Sequence, residues 1–308
     1  MRILVTGATG DQGRAQVELA VERGVPVRAG VHRRAVGSWA AGVDPVPMDF
    51  EDEASVARAM QGVDTVFANF PSSSFNEGAR LVAAAATAAS AAASAGVRLI
   101  VLNTSQPVRD EPLGFHGHDV RLAMREALRR SAVPVVTLQP VVFMGNLLQW
   151  AYRPIVEEGI FRYPHRPELE VAWICQRDLA ALMFAAAARP ELAGRVFDVG
   201  GPELLRGDDV ARILSRVIGR PVRFVSQPIA DFCRAVSPRL AALEPAQRDF
   251  YLTELARIYE WYNDSPLAPF RVDMSGVLRE LPVRLTPFAE WAASQDWSGR
   301  PEARARAQ

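Results

Sequence analysis

Three glycines, Gly7, Gly10 and Gly13, recur at intervals of three within Val5-Thr-Gly-Ala-Thr-Gly-Asp-Gln-Gly13. Residues of this type and spacing suit the holding of a pyrophosphate. The first glycine permits a tight turn, the second lets phosphate approach the backbone, and the third lets a helix pack close to a strand. Thr9, Asp11 and Gln12, set between them, are expected to share the ligand. A glycine triad by itself is equally an ordinary helix-entry turn, so context decides. Here Arg2 to Thr6 forms a short, branched apolar run before the triad, and Ala15, Val17, Leu19, Ala20 and Val21 form an amphipathic stretch after it. Strand, turn, helix is the reading, with the helix's unpaired amides and positive end meeting the phosphates.

The strand after this helix, Val25 to Val31, ends in His32-Arg33-Arg34. An acidic residue at that point would bind a ribose 2′-hydroxyl; two guanidiniums favour a 2′-phosphate, so NADP(H) is expected over NAD(H). A solvated basic turn is the plain alternative. Asp49 and Phe50, after the weak strand Val43 to Pro47, are assigned to the adenine end, although Asp49 also suits a helix N-terminus. Two more strands, Asp64 to Ala68 and Val97 to Leu102, run into Asn69-Phe70-Pro71 and Asn103-Thr104-Ser105. Such carboxyl ends are where a doubly wound sheet holds its ligand, which makes Asn69, Phe70 and Asn103 cofactor contacts.

A looser segment follows, with Pro107, Pro112, Gly114 and Gly117, and carries His116 and His118; a helix is expected from about Asp119 to Arg130. The strand Val133 to Leu138 leads into Gln139-Pro140, with Pro140 placed at the cofactor. Beyond it Phe143, Met144, Asn146, Trp150 and Tyr152 open an aromatic and proline-rich region that suits the wall of a substrate pocket, or ordinary packing of a smaller subdomain.

Strands alternating with helices imply an α/β protein with a doubly wound parallel Rossmann sheet and a smaller, mostly helical C-terminal substrate lobe. The expected division is a nucleotide-binding domain over 1–146, a substrate lobe over 147–297 and a flexible tail over 298–308. Strands near 169–174 and 195–199 are expected to rejoin the sheet. A strand over 222–225 and helices at 77–95, 177–188, 207–218, 244–260, 274–280 and 286–295 complete the pattern.

At 308 residues the chain can bury a large core. Its formal net charge of zero offers nothing to nucleic acid or an anionic membrane. The alanine-rich window Leu81 to Val97 reads as a packed helix, and the first strand starts at residue 2, so a cytoplasmic protein is expected. Cys175 and Cys233 have no metal-ligand spacing and read as buried thiols. One absence is chemical: all 35 Lys+Arg residues are arginine. Lysine cannot act here as acid, base or Schiff-base former.

The opening Val5 to Gly13, Val27-Arg28-Ala29 before the basic cluster, and Asp49 resemble the NmrA-like branch of the atypical short-chain dehydrogenase/reductases. The run Thr137 to Asn146 looks like the family segment that passes the nicotinamide and enters the substrate lobe. Arg177-Asp178-Leu179-Ala180 and Phe197-Asp-Val-Gly-Gly201 continue the likeness over roughly residues 2–225. The resemblance implies a Rossmann sheet and a nicotinamide cofactor. It also marks a departure. Standard members use a Tyr-x-x-x-Lys pair, and alignment puts Gly117 in the tyrosine slot and Arg121 in the lysine slot.

Reduction of a carbonyl still needs a group to meet the developing negative charge. Ser105, His116, His118 and Arg121 are the candidates. Histidine can supply a proton near neutral pH, while Arg121 can hold the ribose or an oxyanion. His118, Ser105 and Arg121 are assigned to catalysis and His116 to the substrate. Three functions follow, in order of preference. The first is an NADPH-dependent reductase of a small organic molecule such as an enone, quinone methide or imine. The second is a non-catalytic redox sensor that reports to a protein partner or acts as a homodimer. The third is a redox-neutral isomerase, cyclase or dehydratase using histidine.

Overall fold

The computed structural model describes residues 1–32, 39–71 and 78–298. A seven-stranded parallel sheet is ordered β3-β2-β1-β4-β5-β6-β8. Its strands are β1 (Ile3–Val5), β2 (Val27–Val31), β3 (Val43–Pro47), β4 (Thr65–Asn69), β5 (Leu99–Asn103), β6 (Val135–Pro140) and β8 (Val196–Val199). β1 pairs in parallel with β2 on one side and β4 on the other. Strand order therefore reverses at β1, and the crevice at its carboxyl end is the expected ligand site of such a sheet.

Helices cover both faces, as parallel strands require. One face carries α2 (Glu53–Met60), α3 (Gly78–Ser94) and α4 (His116–Arg129), which close over Leu4, Val66, Ile100 and Leu102. The alanine run explains α3. Ala84, Ala85, Ala88, Ala89 and Ala92 are all buried, and their small side chains let α3 lie close along α4. The other face carries α1 (Asp11–Glu22) against α5 (Gln176–Ala187), with Phe184 edge-on to Phe67 at 5.0 Å.

Two compact units divide the chain. One comprises Met1–Pro140, Gln176–Asp198 and Gly276–Val283. The other comprises Val141–Cys175, Val199–Ser275 and the chain from Arg284. The second unit contains a two-stranded parallel sheet of β7 (Ile160–Tyr163) and β9 (Arg223–Ser226). Its helices are α6 (Gly207–Ile218), α7 (Ile229–Val236), α8 (Pro245–Asp264) and α10 (Phe288–Ala293), while α9 (Met274–Glu280) begins in it and ends in the first unit.

Several expectations change. The helix after the loose segment begins at His116, three residues early, because Asp119 turns its carboxylate back to the Leu113 and Gly114 amides at 2.8 and 3.0 Å. Both histidines thus sit in its first turn. Val171 to Ile174 is no strand; it makes only isolated bridges, Val171 to Leu205 and Ile174 to Phe143. The strand expected over 195–199 is β8 at the sheet edge. β7, α7 and two π-helical turns, Leu147–Ala151 and Pro154–Glu158, had no sequence signal in the reading above.

The third glycine of the triad has the tightest constraint. A Cβ on Gly13 would lie 2.3 Å from the Gly7 carbonyl oxygen and 2.9 Å from the Ala8 Cα, all rigid backbone. Gly13→Ala must push α1 off the end of β1. We expect it to destabilise the fold by about 1–3 kcal/mol, as overpacking does, and to abolish nucleotide binding. Urea unfolding and titration calorimetry check both effects.

Candidate active site

The glycine turn is built for an anion. Gly7 adopts φ +60°, which turns the chain from β1 toward α1. Thr9, Gly10 and Asp11 are exposed, and Gly10 caps α1 with no side-chain hydrogen bond. At the start of α2, by comparison, Asp52 accepts the Ser55 amide at 3.1 Å. The open cap of α1 fits a pyrophosphate at the positive end of the helix.

Next to the turn lies a ladder of side-chain amides. Asn69, at the end of β4, donates through Nδ2 to the Thr6 carbonyl at 2.9 Å and exchanges two hydrogen bonds with Gln16. Asn103, fully buried at the end of β5, donates through Nδ2 to Asn69 Oδ1 at 2.9 Å and to Gln12 Oε1. Its Oδ1 accepts the Ser105 amide at 2.9 Å, and Ser105 Oγ reaches Gln12 Oε1 at 3.0 Å. Ser105 itself is held at φ +63°, left-handed backbone that a residue other than glycine seldom adopts. Strain of this kind persists where surrounding bonds over-determine it, and it gathers at functional sites. Gln12, Asn69, Asn103 and Ser105 are thus brought together. Gln16 was missed by the sequence reading, although Gly13, Gln16, Val17 and Ala20 share one buried helical face by spacing alone.

On the other side of β1, His32 Nε2 lies 3.6 Å from Asp49 Oδ2. Asp49 also closes the turn into α2, accepting the Glu51 amide at 3.0 Å. Phe50 stacks on Phe70 with centroids 5.1 Å apart. Arg33 and Arg34 lie outside the described residues.

The remaining candidates lie on α4. His118 is fully buried, and its Nε2 accepts the Arg109 amide at 2.8 Å. A backbone N–H can only donate, so Nε2 is unprotonated and Nδ1 carries the proton toward Asp119 Oδ1 at 2.9 Å. Burial pushes its pKa below the ordinary value, Asp119 pulls the other way, and Arg125 and Arg109 lower it further. Burial raises the Asp119 carboxyl, but hydrogen bonds from His118 and the Leu113 and Gly114 amides outweigh it and hold the group below its usual range. As folded, His118 fastens the segment after β5, and the proton-donor role assigned from sequence would require breaking that bond.

Arg121, in the lysine slot, is buried and donates through Nη2 to the Pro71 carbonyl at 3.0 Å, fastening the exit of β4. His116 is half-buried and lies against Gly78, where an added Cβ would come within 2.6 Å of its ring. Arg125, also buried, joins the same strap: Nη2 donates to Asp110 at 2.7 Å and Nη1 to Gln139 Oε1 at 3.0 Å. Pro140 is buried at the end of β6.

In the second unit, several expected substrate residues are committed to packing. Tyr152 is buried, its hydroxyl donates to the Asp296 carbonyl at 3.0 Å, and its ring stacks on Trp297. Trp150 meets Phe232 edge-on and carries the Arg239 guanidinium 4.3 Å above its ring. Phe143 and Met144 are buried beside Ile174. Asn146, half-buried, hydrogen-bonds Tyr163, whose pKa is raised chiefly by burial. Tyr163 belongs to an aromatic core with Trp173, Tyr259 and Phe270 that surrounds His165. Burial alone lowers the His165 pKa to about 3.

A glycine turn with an open helix cap, placed where a parallel sheet reverses its order, defines a dinucleotide-binding Rossmann protein. The chain belongs to the NmrA-like family, whose model matches residues 1–292. It is 32% identical over 97% of its length, and 100% of the relative's, to the (4-alkanoyl-5-oxo-2,5-dihydrofuran-3-yl)methyl phosphate reductase of Streptomyces griseus. It is 34% identical to the NAD(P)H azoreductase of Xenophilus azovorans over 73% of its own length and 76% of that enzyme's. Among solved structures it resembles the triphenylmethane reductase of Citrobacter sp. complexed with NADP(H), with TM-score 0.74 and 22% identity, covering 95% of this chain and 99% of that one. Fold and relatives point to an NAD(P)H-dependent oxidoreductase. No helix among the described residues is long and apolar enough to cross a membrane.

Two outcomes test these assignments. His118→Ala removes the acceptor for the Arg109 amide and opens a buried space, so it should cost about 2–4 kcal/mol of stability, read by urea unfolding. A drop in turnover with unchanged stability would instead restore His118 to the chemistry. For His165 the folded pKa lies below the unfolded one, so the unfolded chain binds the proton first. Its stabilisation is complete above the ordinary histidine pKa and is lost as pH falls from there toward 3. Between pH 7 and pH 4 the melting temperature of the wild type should therefore fall further than that of His165→Phe, by circular dichroism.

Proposed function

We propose that the protein is an NADP(H)-dependent reductase of small conjugated electrophiles, such as enones, quinone methides, azo compounds or imines. Bound NADPH supplies a hydride. The carrying observation is the state of the candidate acids: His118 uses both ring nitrogens inside the protein, and Ser105 sits within hydrogen-bond reach of an amide oxygen. An edge of amides, one hydroxyl and a buried guanidinium suits acceptors that spread the incoming charge along a conjugated system, so that water can protonate it. The relatives support this reading, since one reduces a dihydrofuran phosphate and another azo compounds by their names. A redox-neutral reaction would need a histidine base, and the packing of His118 speaks against one.

The nucleotide half of the proposal rests on His32, Arg33 and Arg34, which are offered to the 2′-phosphate. A cytoplasmic location is inferred with it, where the cofactor is kept reduced and Cys175 and Cys233 stay as thiols.

We expect NADPH oxidation with 1,4-naphthoquinone or the azo dye methyl red, and a weaker response with NADH. Arg33→Ala combined with Arg34→Ala should raise the KM for NADPH at least tenfold and leave that for NADH nearly unchanged. Equal losses for both would overturn the 2′-phosphate assignment. Tight NADPH binding with no turnover of any conjugated acceptor would replace the reductase with a redox sensor.

A further inference from the structure

The direction of every hydrogen bond in the amide ladder can be deduced, because backbone groups anchor it. The Thr6 carbonyl can only accept, so the Asn69 atom facing it is Nδ2 and the other is Oδ1. Oδ1 can only accept, so the Asn103 atom beside it is Nδ2. The Ser105 amide can only donate, and it faces the remaining atom, Asn103 Oδ1, in agreement. Asn103 Nδ2 also points at Gln12, which must present Oε1. Ser105 Oγ meets that same oxygen, so the hydroxyl proton is directed to Gln12.

Two consequences follow for a ligand. Ser105 Oγ is left with its lone pairs and meets a ligand as an acceptor. Gln12, half-buried with Oε1 doubly engaged, has no partner for Nε2 among the described residues and presents a donor. Donor and acceptor stand side by side. They bridge the first turn of α1 and the end of β5, on the β4–β5 side of the pyrophosphate turn. His32 and Asp49 mark the β2–β3 side as the adenosine end, so the nicotinamide end falls to Gln12 and Ser105.

We propose that Gln12 and Ser105 together read the nicotinamide carboxamide, Gln12 Nε2 donating to its oxygen and Ser105 Oγ accepting from its NH2. The pairing rests on the NADP(H) reading above. A primary amide is self-complementary to this edge, one acceptor and one donor on the same group. Asn103 acts through its neighbours as a positioning residue, since its carboxamide sets both the turn at Ser105 and the orientation of Gln12.

The test compares NADP⁺ with its 3-acetylpyridine analogue, which keeps the carbonyl oxygen and lacks the NH2, by titration calorimetry. One neutral hydrogen bond corresponds to about three- to tenfold in affinity. Wild type should prefer NADP⁺ by that factor, and Ser105→Ala should bind the two equally. Gln12→Met should weaken both together. Ser105→Gly, which suits the left-handed backbone, repeats the measurement if the alanine variant is poorly folded. A Ser105 variant that keeps the wild-type preference, or a wild type with none, overturns the proposal. Binding of neither nucleotide by the wild type overturns the NADP(H) reading itself.

Discussion

The approach of α1 to the end of β1 is the constraint on which the ligand edge depends. With no side chain at Gly13, the first turn of the helix rests on the Gly7–Ala8 backbone. That contact brings Gln12 and Gln16 within hydrogen-bond reach of Asn69 and Asn103, which belong to two other strands. A helix displaced by a methyl group would leave several buried amide groups without partners, each costing more than a satisfied hydrogen bond contributes. The glycine thus lets the helix sit close enough for a polar network to close behind its first turn.

The second governing fact is the treatment of the first turns of α4. The resemblance read from the sequence aligns two of these positions with the tyrosine and lysine of standard short-chain dehydrogenases. Here they carry Gly117 and Arg121, and the helix serves as a fastening post. His118, Asp119, Arg121 and Arg125 hold backbone or side-chain groups of the segments after β4 and β5. A buried guanidinium is tolerable because it is more weakly hydrated than an ammonium and its planar donors meet acceptors at fixed angles. In the proposed reaction, catalytic demand accordingly shifts from an acid on the protein to the electronic character of the substrate.

Much of the first unit was legible from residue order. Buried parallel strands are continuous apolar runs, and helices between them show a 3.6-residue period, so β1, β2, β4, β5 and β6 fell close to their expected positions. The second unit was harder to read for a physical reason. Its aromatic residues are shared among short elements, and a four-residue apolar run such as Val171 to Ile174 has the same composition whether it pairs as a strand or is buried by its neighbours. Trp150 and Tyr152 illustrate the same point. Their composition suits a ligand wall, yet ring packing with Phe232 and Trp297 accounts for the observed contacts.

By itself, the amino-acid sequence determined the class of cofactor site, because the backbone freedom of Gly7 and the size of Gly13 are local properties. It also excluded lysine chemistry outright, since composition alone decides that. The fate of each polar side chain was decided only by the tertiary structure. Gln16 drew no notice in the sequence and is a buried partner of Asn69; His118 looked like a loop acid and is a buried clamp. A hydrogen-bonding group takes its role from what faces it, and what faces it comes from residues tens of positions away along the chain.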